Sequence, residues 1–164
     1  VQKQHNLRRV LIVDWDVHHG NGTQAAFYGD PDVLYFSVHR ERIYPGTGSA
    51  LDRGSGNGRG TTINVPLPAG SGDREYQEAF ERLVPPARDF KPDFVFISAG
   101  FDAARGDPLG GMRVSTDQFA AQTRVVRRIA DEACQGRLVS VLEGGYALDA
   151  LADGVEAHVR ELSR

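Results

Sequence analysis

Three residues spaced two apart, Asp14, Asp16 and His18, open the chemical reading of this chain. In an extended segment alternate side chains share a face, so these three should point together while Trp15 and Val17 point the other way. Two acids beside an imidazole are unfavourable at a buried sheet end unless a cation or hydrogen-bond donors compensate them. Asp16 and His18 therefore suit a divalent metal, with Asp102 arriving from another strand end as a third ligand. Two carboxylates and one histidine leave a position open for water and substrate, the pattern of catalytic rather than closed structural sites. Asp14 reads as support for that centre, orienting a histidine or binding a second cation. The competing reading is a solvated polar strand end with ordinary hydrogen bonds.

Tyr146 follows Gly144 and Gly145, where the backbone can turn tightly. A phenol there could hydrogen-bond a carbonyl oxygen as it gains charge while a metal polarises the same oxygen. An aromatic packed under a loop is the alternative. Tyr44, ahead of Pro45 and Gly46, could line an apolar approach to the site, and His39 could line it or simply be packed.

The elements that must position these residues are strands. Val10 to Val13 form a short β-branched run that leads into the Asp14 to Gly20 segment, as a buried strand feeding a polar loop. Val33 to Val38 follow a turn signal and read as a second strand, and Thr61 to Pro66 as a third. Gly46 to Gly60 is a long glycine-rich loop. Asp73 to Asp89 have helical periodicity through Tyr76, Phe80 and Leu83, with Pro85 and Pro86 expected to kink or divide the helix. Phe94 to Ile97 form a strand ending at Ser98, Ala99, Gly100. Thr116 to Ala133 form a helix, Leu138 to Leu142 another strand, and Ala147 to Leu162 a closing helix. Strands alternating with helices imply an α/β fold with a largely parallel sheet, whose sites gather beyond the carboxyl ends of the strands. Three polar clusters fall there: Asp14 to His18, Gly100 to Asp102, and Glu143 to Tyr146.

A chain of 164 residues fits one domain and can bury a sizeable core without disulfides. The single cysteine, Cys134, cannot form an internal bridge and reads as a small apolar residue near a helix end, which fits a reducing compartment. A formal net charge of -3 argues against non-specific nucleic-acid binding. No apolar run approaches the roughly 20 residues of a membrane span, and a cytoplasmic location is the expectation. Gly56, Gly58 and Gly60 lack the strand and helix context of a phosphate loop. His5 and His158 belong to no pattern, and Cys134 has no evident base.

The run from Val13 to Gln24, the run from Ser98 to Ala103 with Gly106, Asp107 and Pro108, and the run from Leu142 to Tyr146 resemble zinc-dependent histone deacetylases of class II and their bacterial acetylpolyamine amidohydrolase relatives. The resemblance extends over nearly all 164 residues. It implies an arginase-like, three-layer α/β fold, of which residues 1–164 would be the C-terminal portion of one catalytic domain. It also implies zinc at Asp16, His18 and Asp102, with Tyr146 as the transition-state tyrosine. Asp14 would support a catalytic histidine. Potassium is implied at Asp14, Asp16, His18, Ser37 and Val38, with Phe27 near a second monovalent site. Tyr44, Leu109, Gly144 and Gly145 would contact substrate, Tyr44 standing where the family usually has phenylalanine.

The resemblance further implies an adjacent histidine pair supplying the general base upstream of the first motif, and no such pair is matched here. His18 and His19 are not that pair, because His18 matches a ligand. The expectation is a chain that is weak or inactive alone and needs a missing N-terminal segment or an oligomer partner. Leucine at position 109 replaces the acidic gatekeeper of polyamine-specific relatives, which points to an acetylated lysine side chain or another acylated amine. Two rival readings are a dinuclear manganese ureohydrolase-like enzyme, which wants more bridging carboxylates, and a non-catalytic metal-containing scaffold or acyl-group binder.

Overall fold

The computed structural model describes residues 1–164. Five strands, β1 (Val10–Asp14), β2 (Val33–Arg40), β3 (Thr62–Leu67), β4 (Phe94–Ala99) and β5 (Leu138–Leu142), form one parallel sheet in the order β3-β2-β1-β4-β5. Five helices accompany them: α1 (Gln2–His5), α2 (Asn21–Phe27), α3 (Asp73–Phe90), α4 (Thr116–Cys134) and α5 (Leu148–Leu162).

Strand β1 is buried along its whole length, as expected of a Val-Leu-Ile-Val run at the sheet centre. Leu11, Val13, Leu34, Phe36, Val95 and Ile97 face one side, where α3 and α4 pack and the main core lies, with α5 packed along α4. Val10, Ile12, Val33 and Tyr35 face the other side, against Phe27 of α2 and the half-buried Phe94 and Phe96. The sheet is thus the middle of three layers, and the second outer layer is thin. Over its β4–β5 edge, Val139 and Val141 are 43% and 50% exposed.

The chain leaves β1 to build β2 and β3 on one side, then crosses back to place β4 and β5 on the other. The connections after β1 and β4 therefore diverge, opening a crevice beyond the carboxyl ends of those two neighbouring strands. Both the Asp14–Gly20 segment and the Gly100–Asp102 segment begin there.

Two local outcomes differ from the sequence expectation. Pro85 and Pro86 do not divide α3, which runs unbroken for 18 residues. Glu81 and Arg82, whose carbonyls lose their helical donors, are exposed, while Leu83 and Ala87 on the opposite side stay buried in the core and hold the helix on both sides of the prolines. The helix Asn21–Phe27 is also unannounced, because none of its residues is buried and it carries no apolar periodicity. The closing helix begins at Leu148 rather than Ala147, and Cys134 is the buried last residue of α4.

Candidate metal centre

The period-two expectation for the first motif holds. Trp15 and Val17 are fully buried in the main core, while Asp14, Asp16 and His18 all line one open cavity of about 710 Å³. Asp102, arriving from the loop after β4, completes a group in which one donor atom each of Asp16, His18 and Asp102 lies within 4.8 Å of the others.

Hydrogen bonds set the orientation of each carboxylate. Asp102 is fully buried, and its Oδ1 accepts the Val17 amide at 2.8 Å. Its Oδ2 has no hydrogen-bond partner and lies 3.2 Å from His18 Nδ1. Asp16 Oδ1 accepts the His18 amide at 2.8 Å and faces His18 Nδ1 at 3.0 Å, while Oδ2 accepts the Gly144 amide at 2.9 Å. Burial, reinforced by the nearby Asp16 charge, pushes the Asp102 carboxyl up to about 7. A buried and a half-buried acid with one unpartnered oxygen and a single imidazole beside them form the arrangement that a divalent cation relieves.

Asp14 sits one layer below. Its Oδ2 accepts the Tyr35 hydroxyl at 2.9 Å and its Oδ1 accepts the Asp16 amide at 3.2 Å. Burial raises it to about 7 against the opposing effect of the Tyr35 bond. Ser37 is its cross-strand neighbour, buried, with Oγ 2.9 Å from His39 Nδ1. The Val38 side chain points into the main core, and Phe27, in the thin outer layer, packs on the opposite face of the sheet against the cluster of Val10, Ile12, Val33 and Tyr35.

Two glycines let the loops close on the acids. A Cβ at Gly144 would strike Asp102 Oδ2 and lie 2.7 Å from Asp16 Oδ2; one at Gly100 would lie 2.6 Å from the same Asp16 oxygen. Gly144 lines the cavity, whereas Gly145 does not: a Cβ there would meet Leu151 and Phe101. Tyr146, Tyr44 and Leu109 also line the cavity and are 50%, 78% and 55% exposed. The rings of His18 and Tyr44 lie 6.4 Å apart.

The other imidazoles near the centre are fully engaged. His19 uses Nδ1 with Thr47 at 2.7 Å and Nε2 with Gln24 at 3.0 Å; His39 uses Nδ1 with Ser37 and Nε2 with the Gly48 carbonyl at 3.1 Å. His39 is buried, has both ring nitrogens engaged and does not line the cavity, so it is a packed histidine; burial lowers both imidazoles, His39 to about 4. Sequence reasoning missed Tyr35, which holds Asp14, and placed Glu143 in a site cluster without a specific role; Glu143 lines the cavity. The alternation Val33, Tyr35, Ser37, His39 opposite Asp14 was the available signal for Tyr35.

The family model for the histone deacetylase domain matches residues 1–162. The chain belongs to the histone deacetylase domain family. It is 50% identical over 155 residues to rice histone deacetylase 10, chloroplastic, a match covering 94% of this chain and 35% of the rice protein. It is 48% identical to histone deacetylase clr3 of fission yeast, over 95% of this chain and 23% of that protein. Superposition on the solved structure of Clr3 gives a TM-score of 0.91 at 45% identity, covering 98% of this chain and 28% of the other. The HDA15 HD domain gives 0.88 at 46% identity, covering 95% and 44%. The fold is thus the α/β fold of those deacetylase structures, and the chain spans about a third or less of the length of these two relatives.

Proposed function

We propose that this chain supplies the zinc-holding and oxyanion-binding part of a hydrolase that cleaves the acetyl amide of an acetylated lysine side chain or a related acylated amine. The observation that carries the reading is the convergence of Asp16, His18 and Asp102, with the buried Asp102 Oδ2 lacking any hydrogen bond. Two carboxylates and an imidazole fit zinc with a position left for substrate. A zinc ion held there supplies Lewis acidity toward the amide carbonyl.

The chain's own residues then divide the remaining work. Tyr146 donates its hydroxyl to the carbonyl oxygen as that oxygen gains negative charge. Asp14, fixed by Tyr35, supports the centre from below. Tyr44 and Leu109 form walls for the acylated side chain, and leucine offers no carboxylate for a second ammonium, which favours acetyl-lysine over an acetylated polyamine. Potassium is assigned to Asp14, Asp16, His18, Ser37 and Val38, with a second monovalent position near Phe27. The proton acceptor is assigned to the adjacent histidine pair that the family resemblance implies; His19 and His39, the buried imidazoles near the centre, have both ring nitrogens engaged. A further N-terminal segment or an oligomer partner is assigned to the exposed sheet face at Val139 and Val141. No helix is long and apolar enough to cross a membrane. A cytoplasmic location is a separate part of the proposal.

Turnover of an acetyl-lysine peptide in the presence of zinc and potassium tests this reading. The complete protein carrying this chain should cleave the peptide, Tyr146→Phe should lower kcat by about 10²–10³-fold, and the 164 residues alone should be nearly inactive. Robust turnover by these residues alone would overturn the assignment of the base. Failure of the complete protein on every acylated amine would overturn the function.

A further inference from the structure

Asp107 is buried, and backbone N–H groups rather than a cation satisfy its carboxylate. Its Oδ1 accepts the amides of Leu109 at 2.8 Å and Gly110 at 2.9 Å. Its Oδ2 accepts the amides of Tyr146 at 2.8 Å and Ala147 at 3.3 Å. The first pair closes the turn that carries Leu109 to the cavity rim; the second belongs to the loop after β5, 39 residues along the chain. One carboxylate thus joins the Leu109 turn to the Tyr146 backbone, beyond the point where the Phe101 amide and the Gly144 carbonyl already link the loops after β4 and β5.

Each loop leans on this contact. The Tyr146 ring is half exposed, so its backbone does most of the placing; Asp107 holds that backbone at Tyr146 itself, two residues beyond Gly144, whose carbonyl accepts the Phe101 amide at 2.6 Å and whose amide is held by Asp16. The Leu109 turn is held from its far side by Arg40 Nη1, which donates to the Gly110 carbonyl at 3.2 Å, and a Cβ at Gly110 would strike the Asp102 carbonyl. The turn is therefore registered against the loop after β4 that carries Asp102 and against β2, and Asp107 passes that registration on to Tyr146.

We infer that Asp107 is a positioning residue whose carboxylate clamps the Leu109 rim to the Tyr146 backbone, so that the substrate wall and the hydroxyl donor behave as one unit. The consequence for catalysis rests on the deacetylase reading above; the clamp itself does not. An ionised carboxylate can accept on both oxygens, whereas an asparagine amide accepts on one and presents donors on the other. In Asp107→Asn the single carbonyl stays with the shorter, better-matched Leu109 and Gly110 pair, and the Tyr146 and Ala147 amides face a donor.

Native-state amide exchange on the full chain decides the clamp. In the wild type, the amides of Leu109, Gly110, Tyr146 and Ala147 should open together, with one opening free energy and one denaturant dependence. Exchange of Tyr146 and Ala147 that is faster than, and unrelated to, that of Leu109 and Gly110 would overturn the inference. In Asp107→Asn, Tyr146 and Ala147 should exchange at least about tenfold faster while zinc affinity is retained; unchanged exchange in a folded variant would overturn it. If the variant does not fold, the wild-type measurement still decides. In the complete enzyme the same substitution should lower kcat at least about tenfold with KM little changed, the pattern of lost transition-state interaction. A wild type that cleaves no acylated amine would instead sink the deacetylase reading and leave the exchange result to judge the clamp.

Discussion

The Tyr35 hydroxyl donates a 2.9 Å hydrogen bond to Asp14 Oδ2, tying β2 to β1 directly beneath the candidate metal centre. Both groups are buried, so Tyr35→Phe leaves a buried carboxylate oxygen without its donor. The loss should be about 1–3 kcal/mol, read from urea unfolding. A neutral effect would show that Asp14 finds another donor and that Tyr35 is not its anchor.

Gly144 is predicted to tolerate no side chain. A Cβ there would press on the carboxylates of Asp102 and Asp16 at once, so Gly144→Ala should displace the candidate ligands. Overpacking of this kind typically destabilises by about 1–3 kcal/mol, and zinc affinity should fall with it. Zinc titration of the folded variant checks this; wild-type affinity would mean that the loop swings clear without disturbing the acids.

His158, which belonged to no motif, is a buried rivet between α4, α5 and β5. Thr123 Oγ1 donates to the Phe119 carbonyl, so it accepts from His158 Nδ1, and Nε2 is left to accept from Ser140 Oγ at 2.8 Å. Burial lowers His158 from 6.5 to about 4. A histidine whose folded value is depressed contributes stability that is complete above its unfolded value and is lost as pH falls from about 6.5 towards 4. Its share by pH 4.5 is about 2–3 kcal/mol. Urea unfolding at pH 7 and pH 4.5 should show a smaller acid loss in His158→Gln than in the wild type; equal losses would assign the acid sensitivity elsewhere.

Leu109 stands at the cavity rim with 55% of its surface exposed. Leu109→Glu places a carboxylate where a second ammonium of an acetylated polyamine would approach. The ratio of kcat/KM for acetylspermidine to that for an acetyl-lysine peptide should rise about tenfold or more in the complete enzyme, an effect of about 1.4 kcal/mol. An unchanged ratio would remove Leu109 from substrate choice.

Local periodicity made much of this legible, and its limits are local too. Asp14, Asp16 and His18 were readable as one face from the two-residue alternation, which the chain keeps although β1 ends at Asp14 and residues 16–18 bend, and the strand ends placed Asp102 and Tyr146 beside them. The burial of each face was not readable: Val139 and Val141 have the same composition as the central strand, yet they lie exposed at the sheet edge. Helix α2 escaped notice because it buries none of its residues. The role of Asp107 depends on a contact between loops distant in sequence, which no spacing rule reports, although Asp-Pro-Leu-Gly is itself a turn signature in which the aspartate caps its own following amides. The resemblance implied substrate contact for both Gly144 and Gly145, and the backbone turn sends the two to different surroundings.

The most direct test of the central claim is zinc titration of the chain beside its Asp102→Asn variant, with the stoichiometry read by calorimetry and the metal located by anomalous scattering. The account predicts one zinc per chain at Asp16, His18 and Asp102, and an affinity loss in the variant beyond the 10–100-fold typical of outer-shell partners. Two metals sharing the site, or zinc binding that survives Asp102→Asn unchanged, would contradict it.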